Sequence, residues 1–497
     1  MRALLVGLVV APLVLSAQAA PRGMAAIKQE DLRRDLMVIG GDDYRGREGG
    51  SVDELRASVW IAEELRKIGL EPMGDFGSYF QWWDIRRTRV SALSTVQVGE
   101  RNFAMWKEIA PSGNAAAMVS APTVWAGNGL DSSIDVRGKV AIAQMEFRRL
   151  PGRETSVNSA EYRYARAQMT SLGNALTGRG ASAVILIADS TADIAFEGVA
   201  NIAGRGTYRV DAQTPPAAGG GGRGGQGTPR GPVFLVRQRE AAAMRASVGQ
   251  TATIRLHQES YTYPSVNIVA RVRGTDARLR DEHVLFSTHQ DHDGVRYDVR
   301  GDSIWNGADD NGTGMVALLA AARAFKQQPG RRSALFVYHG AEERGLLGSN
   351  YHAAKPVVPL NSIVAVLNAE MMGRNSPDSA SLLGVQPPHK NSNELVDAAL
   401  RANTATGKFQ LDSLWDRPNH PEGWYFRSDH LPYARLNVPA VMFTSNLHPQ
   451  YHTPKDDSES IDYAKLTRMT QWMYLTGWYI AQADARPTVI PGFRLER

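Results

Sequence analysis

Not one cysteine occurs among the 497 residues. That absence removes disulfides, thiolate metal sites, a cysteine nucleophile and a lipid-bearing cysteine together, so any metal must be held by imidazole and carboxylate. A Gly-x-Ser-x-Gly nucleophile elbow is also missing, which excludes the usual α/β serine hydrolase, and no His-Glu-x-x-His zinc helix is present. Lysine and arginine form no long run and the formal net charge is only +5, so nothing in the chain would track a phosphate backbone and no nucleic-acid partner is expected. The apolar stretch 3–15 is shorter than the roughly 20 residues that span a bilayer. It follows Arg2 and precedes Ser16-Ala17-Gln18-Ala19, the layout of a cleavable secretory signal over residues 1–19. The expectation is a secreted or periplasmic protein of bacterial type with no stable membrane span after cleavage.

What is present is ordinary globular composition, 43% hydrophobic and 22% charged, in a chain long enough for two or three folded units. Residues 52–68 place Leu55, Val59, Ala62, Leu65 and Ile68 near helical spacing, with Gly69 as the stop. The Gly-rich turn at 43–50 just before it reads as a loop. Between about 90 and 260 the texture changes to short β-like runs, such as 139–143 and 183–187, broken by turn residues. The run 219–225 is nearly all glycine and lacks a Gly-Lys-Ser/Thr ending, so it reads as a loop and not as a phosphate cradle. From 265 onward strands (266–272, 284–288, 334–338, 363–367, 440–443) alternate with helices (314–325, 394–402, 463–481). That alternation predicts an α/β fold with a central sheet covered by helices on both faces. The aromatic stripe of the last helix, with Trp472, Tyr474, Leu475 and Trp478, is expected to be core. The chain therefore divides into a discontinuous main domain, 24–90 with 261–485, an inserted β-rich lobe at 91–260, and a C-terminal tail at 486–497.

Acids and histidines gather where those strands end. His289 and Asp291 follow one strand, Glu342 and Glu343 a second, Glu370 a third and His452 a fourth, while Asp309 and Asp310 precede a helix. In an open α/β sheet the carboxyl edge is where ligands bind, so these segments are expected to converge on one crevice. Carboxylates packed together repel unless protonated or neutralised by cations, and imidazoles among them point to zinc or a similar transition metal over calcium.

Five segments carry a resemblance: Thr288-His289-Gln290-Asp291-His292, Gly307-Ala308-Asp309-Asp310-Asn311-Gly312-Thr313-Gly314, Ala341-Glu342-Glu343-Arg344-Gly345-Leu346-Leu347-Gly348-Ser349, Asn368-Ala369-Glu370-Met371, and Tyr451-His452-Thr453-Pro454 with Asp456 and Asp457 behind. Together they resemble the M28 family of zinc peptidases. The resemblance implies a zinc-exopeptidase fold and two Zn2+ ions bridged by Asp310. His289 and Glu370 would complete one site, and Glu343 and His452 the other. It further implies that Glu342 is the general base acting on a metal-bridging water, that Asp291 orients the His289 imidazole, and that Tyr451 faces the tetrahedral oxyanion. Arg427-Ser428-Asp429-His430 resembles a pocket motif of the family. Asp135-Val136-Arg137-Gly138-Lys139-Val140 looks like part of the protease-associated (PA) lobe often inserted in these enzymes. Glu370 departs from the pattern, since Asp is the commoner residue there. The implied activity is removal of N-terminal residues from peptides. Three alternatives stay open: a carboxypeptidase of the same fold using Arg427 or Arg417, a non-catalytic peptide-binding or receptor-like module, and a glutaminyl cyclase, which would call for one metal.

Overall fold

The strands His283–His289, Ser333–His339 and Ile363–Glu370 are buried at every position, as parallel strands covered on both faces must be. They belong to a computed structural model that describes residues 20–147, 160–211, 231–296 and 301–495; the expected signal at 1–19 and the glycine run at 219–225 lie outside the described residues. Ala440–Thr444, Ile363–Glu370, His283–His289 and Ser333–His339 run parallel in that spatial order. Antiparallel strands extend the sheet on both sides, with Ser379–Leu383 at one end and Gln258–Val272 followed by Phe80–Val90 at the other.

Alternate side chains of these strands feed two different cores. Val284, Phe286, Ala334 and Phe336 pack with the helices Gly314–Gln327, Asn393–Ala405 and Tyr463–Gln482, including Trp472, Tyr474 and Leu475. Leu285, Leu335 and Val337 pack on the other face with Ala353 and Tyr433 from the short helices Leu347–Ala354 and His430–Arg435. From His283–His289 the chain crosses by Gly314–Gln327 to the neighbouring strand Ser333–His339, then returns by Leu347–Ala354 to Ile363–Glu370 on the far side. Strand order therefore reverses at His283–His289, and the crevice that reversal opens lies at its carboxyl end.

The helix Val52–Ile68 forms where its spacing predicts and stops at Gly69, whose φ of 83° is the left-handed cap that glycine adopts without strain. Its buried face differs from the one expected: Leu55 and Val59 are exposed, while Glu54, Ala57, Ser58, Ile61, Ala62 and Leu65 point inward. Glu54 turns that face toward the sheet because its carboxylate accepts hydrogen bonds from Gly50 N, Ala341 N and Ser265 Oγ.

Residues 95–256 hold a second, eight-stranded sheet whose centre is the parallel set Ala117–Trp125, Val140–Gln144, Ala183–Ile187 and Val233–Val236. Each of its faces has its own apolar core. The lobe is not only β: the helices Ala160–Gly178 and Phe196–Arg205 also belong to it. The two sheets are joined by a long antiparallel ribbon in which Phe80–Val90 pairs with Gln258–Val272, from Ile268↔Phe80 to Gln258↔Val90. One lobe segment comes back: Thr207–Val210 pairs with Phe80–Val90 and so becomes the edge of the main sheet. No helix among the described residues is long and apolar enough to cross a membrane.

Candidate metal centre

Three of the sequence-predicted ligands are delivered by a strand end or the turn that follows one, Asp310 by the turn that opens a helix, and His452 by the loop after Ala440–Thr444. His289 is the last residue of its strand, Glu370 of another. Glu342 and Glu343 begin a tight turn after Ser333–His339, with Ala341 at a φ of 50°. Asp310 sits in the turn that opens Gly314–Gln327, after Gly307 at a φ of 58°. A Cβ on Gly307 would lie 2.3 Å from the His292 ring, so glycine is what lets this turn close against the strand end.

The side chains converge as two donor sets that share one residue. In the first, His289 Nε2 lies 3.3 Å from Asp310 Oδ1 and 3.4 Å from Glu370 Oε1. In the second, His452 Nε2 lies 3.2 Å from Asp310 Oδ2 and 3.1 Å from Glu343 Oε1. One Asp310 oxygen therefore faces each set. His292 joins the second, its Nδ1 2.9 Å from Glu343 Oε1. Glu342 approaches without joining either, its Oε2 3.8 Å from His289 Nε2.

Surrounding groups hold this arrangement in place. Asp291 accepts backbone hydrogen bonds from Glu342 N at 2.8 Å and Glu343 N at 3.2 Å. Its carbonyl oxygen meets His289 Nδ1 at 3.0 Å, while its carboxylate stands 3.8 Å off; the contact orienting the imidazole thus comes from the main chain. Asp456 accepts from Asp309 N and Asp310 N. Glu370 Oε2 accepts from Asn311 Nδ2 and from Ser428 Oγ. Tyr451 lies against the His452 ring at a centroid distance of 3.9 Å, and its hydroxyl accepts from Arg427 Nη2 at 3.0 Å. Arg427 also pairs with Glu422 at 3.0 Å, whereas Arg417 is exposed.

Burial pushes the Glu342 carboxyl well up; the nearby His289 opposes that and Glu343 adds to it. Burial acts in the same direction on Glu343, but His452 and the His292 hydrogen bond outweigh it and hold Glu343 low. Burial raises Asp291 to about 6, with His289 pulling the other way. The two acids of the adjacent Glu pair are thus pushed in opposite directions, Glu343 toward the ionised form and Glu342 toward the protonated one.

The donors fit divalent zinc. Three carboxylates and up to three imidazoles, with no thiolate, form two tight groups among the described residues, and the inward Nε2 of His452 is buried with no hydrogen-bond donor or acceptor satisfying it. Buried nitrogens left in that state are what ligation resolves. His292, Asp293, Arg47 and Glu54 belong to this region although the sequence marks none of them for a role. His292 and Asp293 were findable from their place in the run after the strand. Arg47 was not, since all its acceptors are carbonyl oxygens.

Residues 267–476 match Peptidase family M28. Aminopeptidase YwaD of Bacillus subtilis (strain 168) is 29% identical over 193 residues, covering 37% of this chain and 40% of that protein. Leucine aminopeptidase 1 of Arthroderma otae is 25% identical over 260 residues, covering 50% of this chain and 65% of its own. The chain therefore spans less than two thirds of either relative's length. Two solved structures extend over nearly everything. The aminopeptidase from Aneurinibacillus sp. strain AM-1 superposes with a TM-score of 0.56 at 19% identity, covering 94% of this chain and 97% of that one. BSAP, a zinc aminopeptidase from Bacillus subtilis, superposes with a TM-score of 0.56 at 18% identity, covering 94% and 99%. At such identity the likeness establishes the fold. Segment 267–476 thus belongs to peptidase family M28, on a fold that the chain shares with these two structures over 94% of its length.

Proposed function

We propose that the protein is an exported zinc-dependent aminopeptidase that binds two metal ions and removes N-terminal residues from peptides. One observation carries the reading: Asp310 presents its two oxygens to two separate sets of imidazole and carboxylate donors. His289, Asp310 and Glu370 would hold one ion, and Asp310, Glu343 and His452 the other, with His292 beside the second set. Bound zinc supplies Lewis acidity toward the scissile carbonyl and lowers the pKa of water in the site.

The chain's own groups do the rest. Glu342 Oε2 stands 3.8 Å from His289 Nε2 and belongs to neither donor set, and burial pushes its carboxyl toward the protonated form, as suits a group that carries a proton. It takes a proton from the attacking water and returns it to the departing amine. Burial raises the Tyr451 phenol, so it stays a neutral donor that can meet the oxyanion, steadied by Arg427. The buried acids Glu342 and Glu370 suit a cationic amino terminus. Arg427 would suit a terminal carboxylate, but Glu422 already engages its charge, and this favours aminopeptidase over carboxypeptidase action. We read the lobe at 91–260 as PA-like.

Replacing Glu342 by Gln is expected to lower kcat by at least about 10² while zinc content stays near that of the parent protein. Full activity in that variant would remove Glu342 as the base. A panel of free and end-blocked peptides tests the direction of attack. Cleavage should vanish when the amine is acylated and survive amidation of the far end. The opposite result would establish a carboxypeptidase, and a protein that holds no stoichiometric zinc would be a binding module.

A further inference from the structure

The second donor set has a supporting shell that reaches out of the main domain. His452 uses Nε2 toward Asp310 and Glu343, and its other nitrogen, Nδ1, lies 3.3 Å from Asp293 Oδ2. Asp293 is buried, at 3% exposure, and three guanidiniums converge on it. Arg296 Nη2 donates at 2.8 Å, Arg344 Nη1 at 3.3 Å and Arg205 Nη1 at 2.7 Å. Arg296 and Arg344 belong to the loops of the site itself, but Arg205 is the last residue of the lobe helix Phe196–Arg205.

That helix is anchored in the lobe, since Phe196, Val199 and Ala200 lie in its core. Arg205 is also held at its main chain, where its carbonyl oxygen accepts from Arg87 Nε at 2.7 Å. The next residue, Gly206, has a φ of 79°, and a Cβ there would come 2.2 Å from Thr88 O. The helix end is therefore pressed onto the ribbon linking the two sheets, and the Arg205 side chain is committed to one direction.

We propose that Arg205 is a positioning residue through which the lobe tunes metal affinity at the His452 and Glu343 set. Its guanidinium fixes the Asp293 carboxylate. That carboxylate then keeps the proton on His452 Nδ1 and leaves Nε2 free to ligate, as carboxylate partners of ligating histidines do elsewhere. The lobe thereby gains a role inside the metal centre, beyond any contact it makes with substrate. The inference rests on the two-metal reading above.

The test uses the full-length protein stripped of metal and titrated with zinc against a competing chelator. The parent protein should bind two zinc ions in resolvable classes. Arg205→Met should weaken one class about tenfold and leave the other unchanged, at the low end of the effect typical of such partners, and Arg205→Lys should recover part of the loss. Arg86→Met serves as a control: Arg86 pairs with Asp211 at 2.9 Å on the same ribbon without touching Asp293, so its loss should not alter zinc binding. Unchanged affinity in Arg205→Met would overturn the proposal. Equal weakening in Arg86→Met would also overturn it, because the seating of the lobe and not this hydrogen bond would then be responsible. A parent protein that binds no zinc would instead sink the two-metal reading, and the inference with it.

Discussion

Arg47 shows what a single buried cation does for the site. It is fully buried and donates to Gln290 O, Ile39 O, Asn306 O and Gly307 O at 2.7–2.9 Å. Burial lowers it to about 10, with Asp291 the largest opposing influence, so it remains charged at neutral pH. Three of its carbonyl partners, Gln290, Asn306 and Gly307, lie in the segments that carry His289 and Asp310, and the fourth ends the helix Gln29–Ile39, so it laces these segments together. Arg47→Met should therefore cost about 3–5 kcal/mol, since it strands these acceptors out of reach of water. Urea denaturation measures that loss, and a change below about 1 kcal/mol would mean that water replaces the guanidinium. The same residue marks the limit of what the sequence reveals. The eight candidate site residues stood out because acids and histidines gather past strand ends, with the Asp309-Asp310 pair ahead of a helix, and because the motifs that carry them resemble those of a known family. Arg47 sits in a glycine-rich turn and acts on main chain 243 residues away at Gln290, and no side-chain pattern encodes that.

At the level of elements, the long C-terminal helix and the central strand are fitted to each other at one point. Gly477 lies in the interior of Tyr463–Gln482, and a Cβ there would come 2.2 Å from Phe286 Cζ and about as close as its ring edge allows to two further atoms, at 3.0 and 3.2 Å. Glycine in a helix interior otherwise costs about 1 kcal/mol relative to alanine. Overpacking a rigid ring costs about 1–3 kcal/mol, so Gly477→Ala should come out net destabilising. A shift of the urea midpoint to lower concentration at unchanged slope is the expected result, and a gain in stability would show that Phe286 moves aside easily. Hydrophobic patterning made several elements of both sheets legible: 52–68, 183–187 and 463–481 fall on observed elements within a residue at each end. It failed for Ala160–Gly178, whose tyrosines, threonines, serine and glycines weaken the helical signal. Exposure of Leu55 and Val59 escaped for a different reason, because a buried carboxylate and not the most apolar stripe fixes how that helix is turned.

Across the whole molecule, the two faces of the main sheet differ in how they answer to acid. The face packed by the long helices is built mainly from apolar side chains such as Phe286, Phe336 and Trp472. The other carries His339 and His352 beside Tyr433, with the His352 Nδ1 2.6 Å from the Tyr433 hydroxyl and its Nε2 without a partner. Burial lowers His352 to about 3, and His339 also falls well below its usual value, by burial first and by the neighbouring His352 next. Both are thus neutral in the folded protein, whereas in the unfolded chain they titrate near 6.5. Between those values the unfolded state binds more protons, so stability is fully present above about pH 6.5 and drains away as pH falls toward 3. For His352 alone the slope approaches about 1.4 kcal/mol per pH unit once below 6. His352→Gln removes the titration and keeps a side chain that can bond Tyr433, so its stability should fall less steeply than the parent's between pH 6.5 and 4.5. Protonation of the candidate metal-site histidines affects both proteins alike and cancels in the comparison. Urea denaturation at several pH values reads the difference, and parallel curves would mean that this face of the sheet opens to solvent before its histidines take up protons.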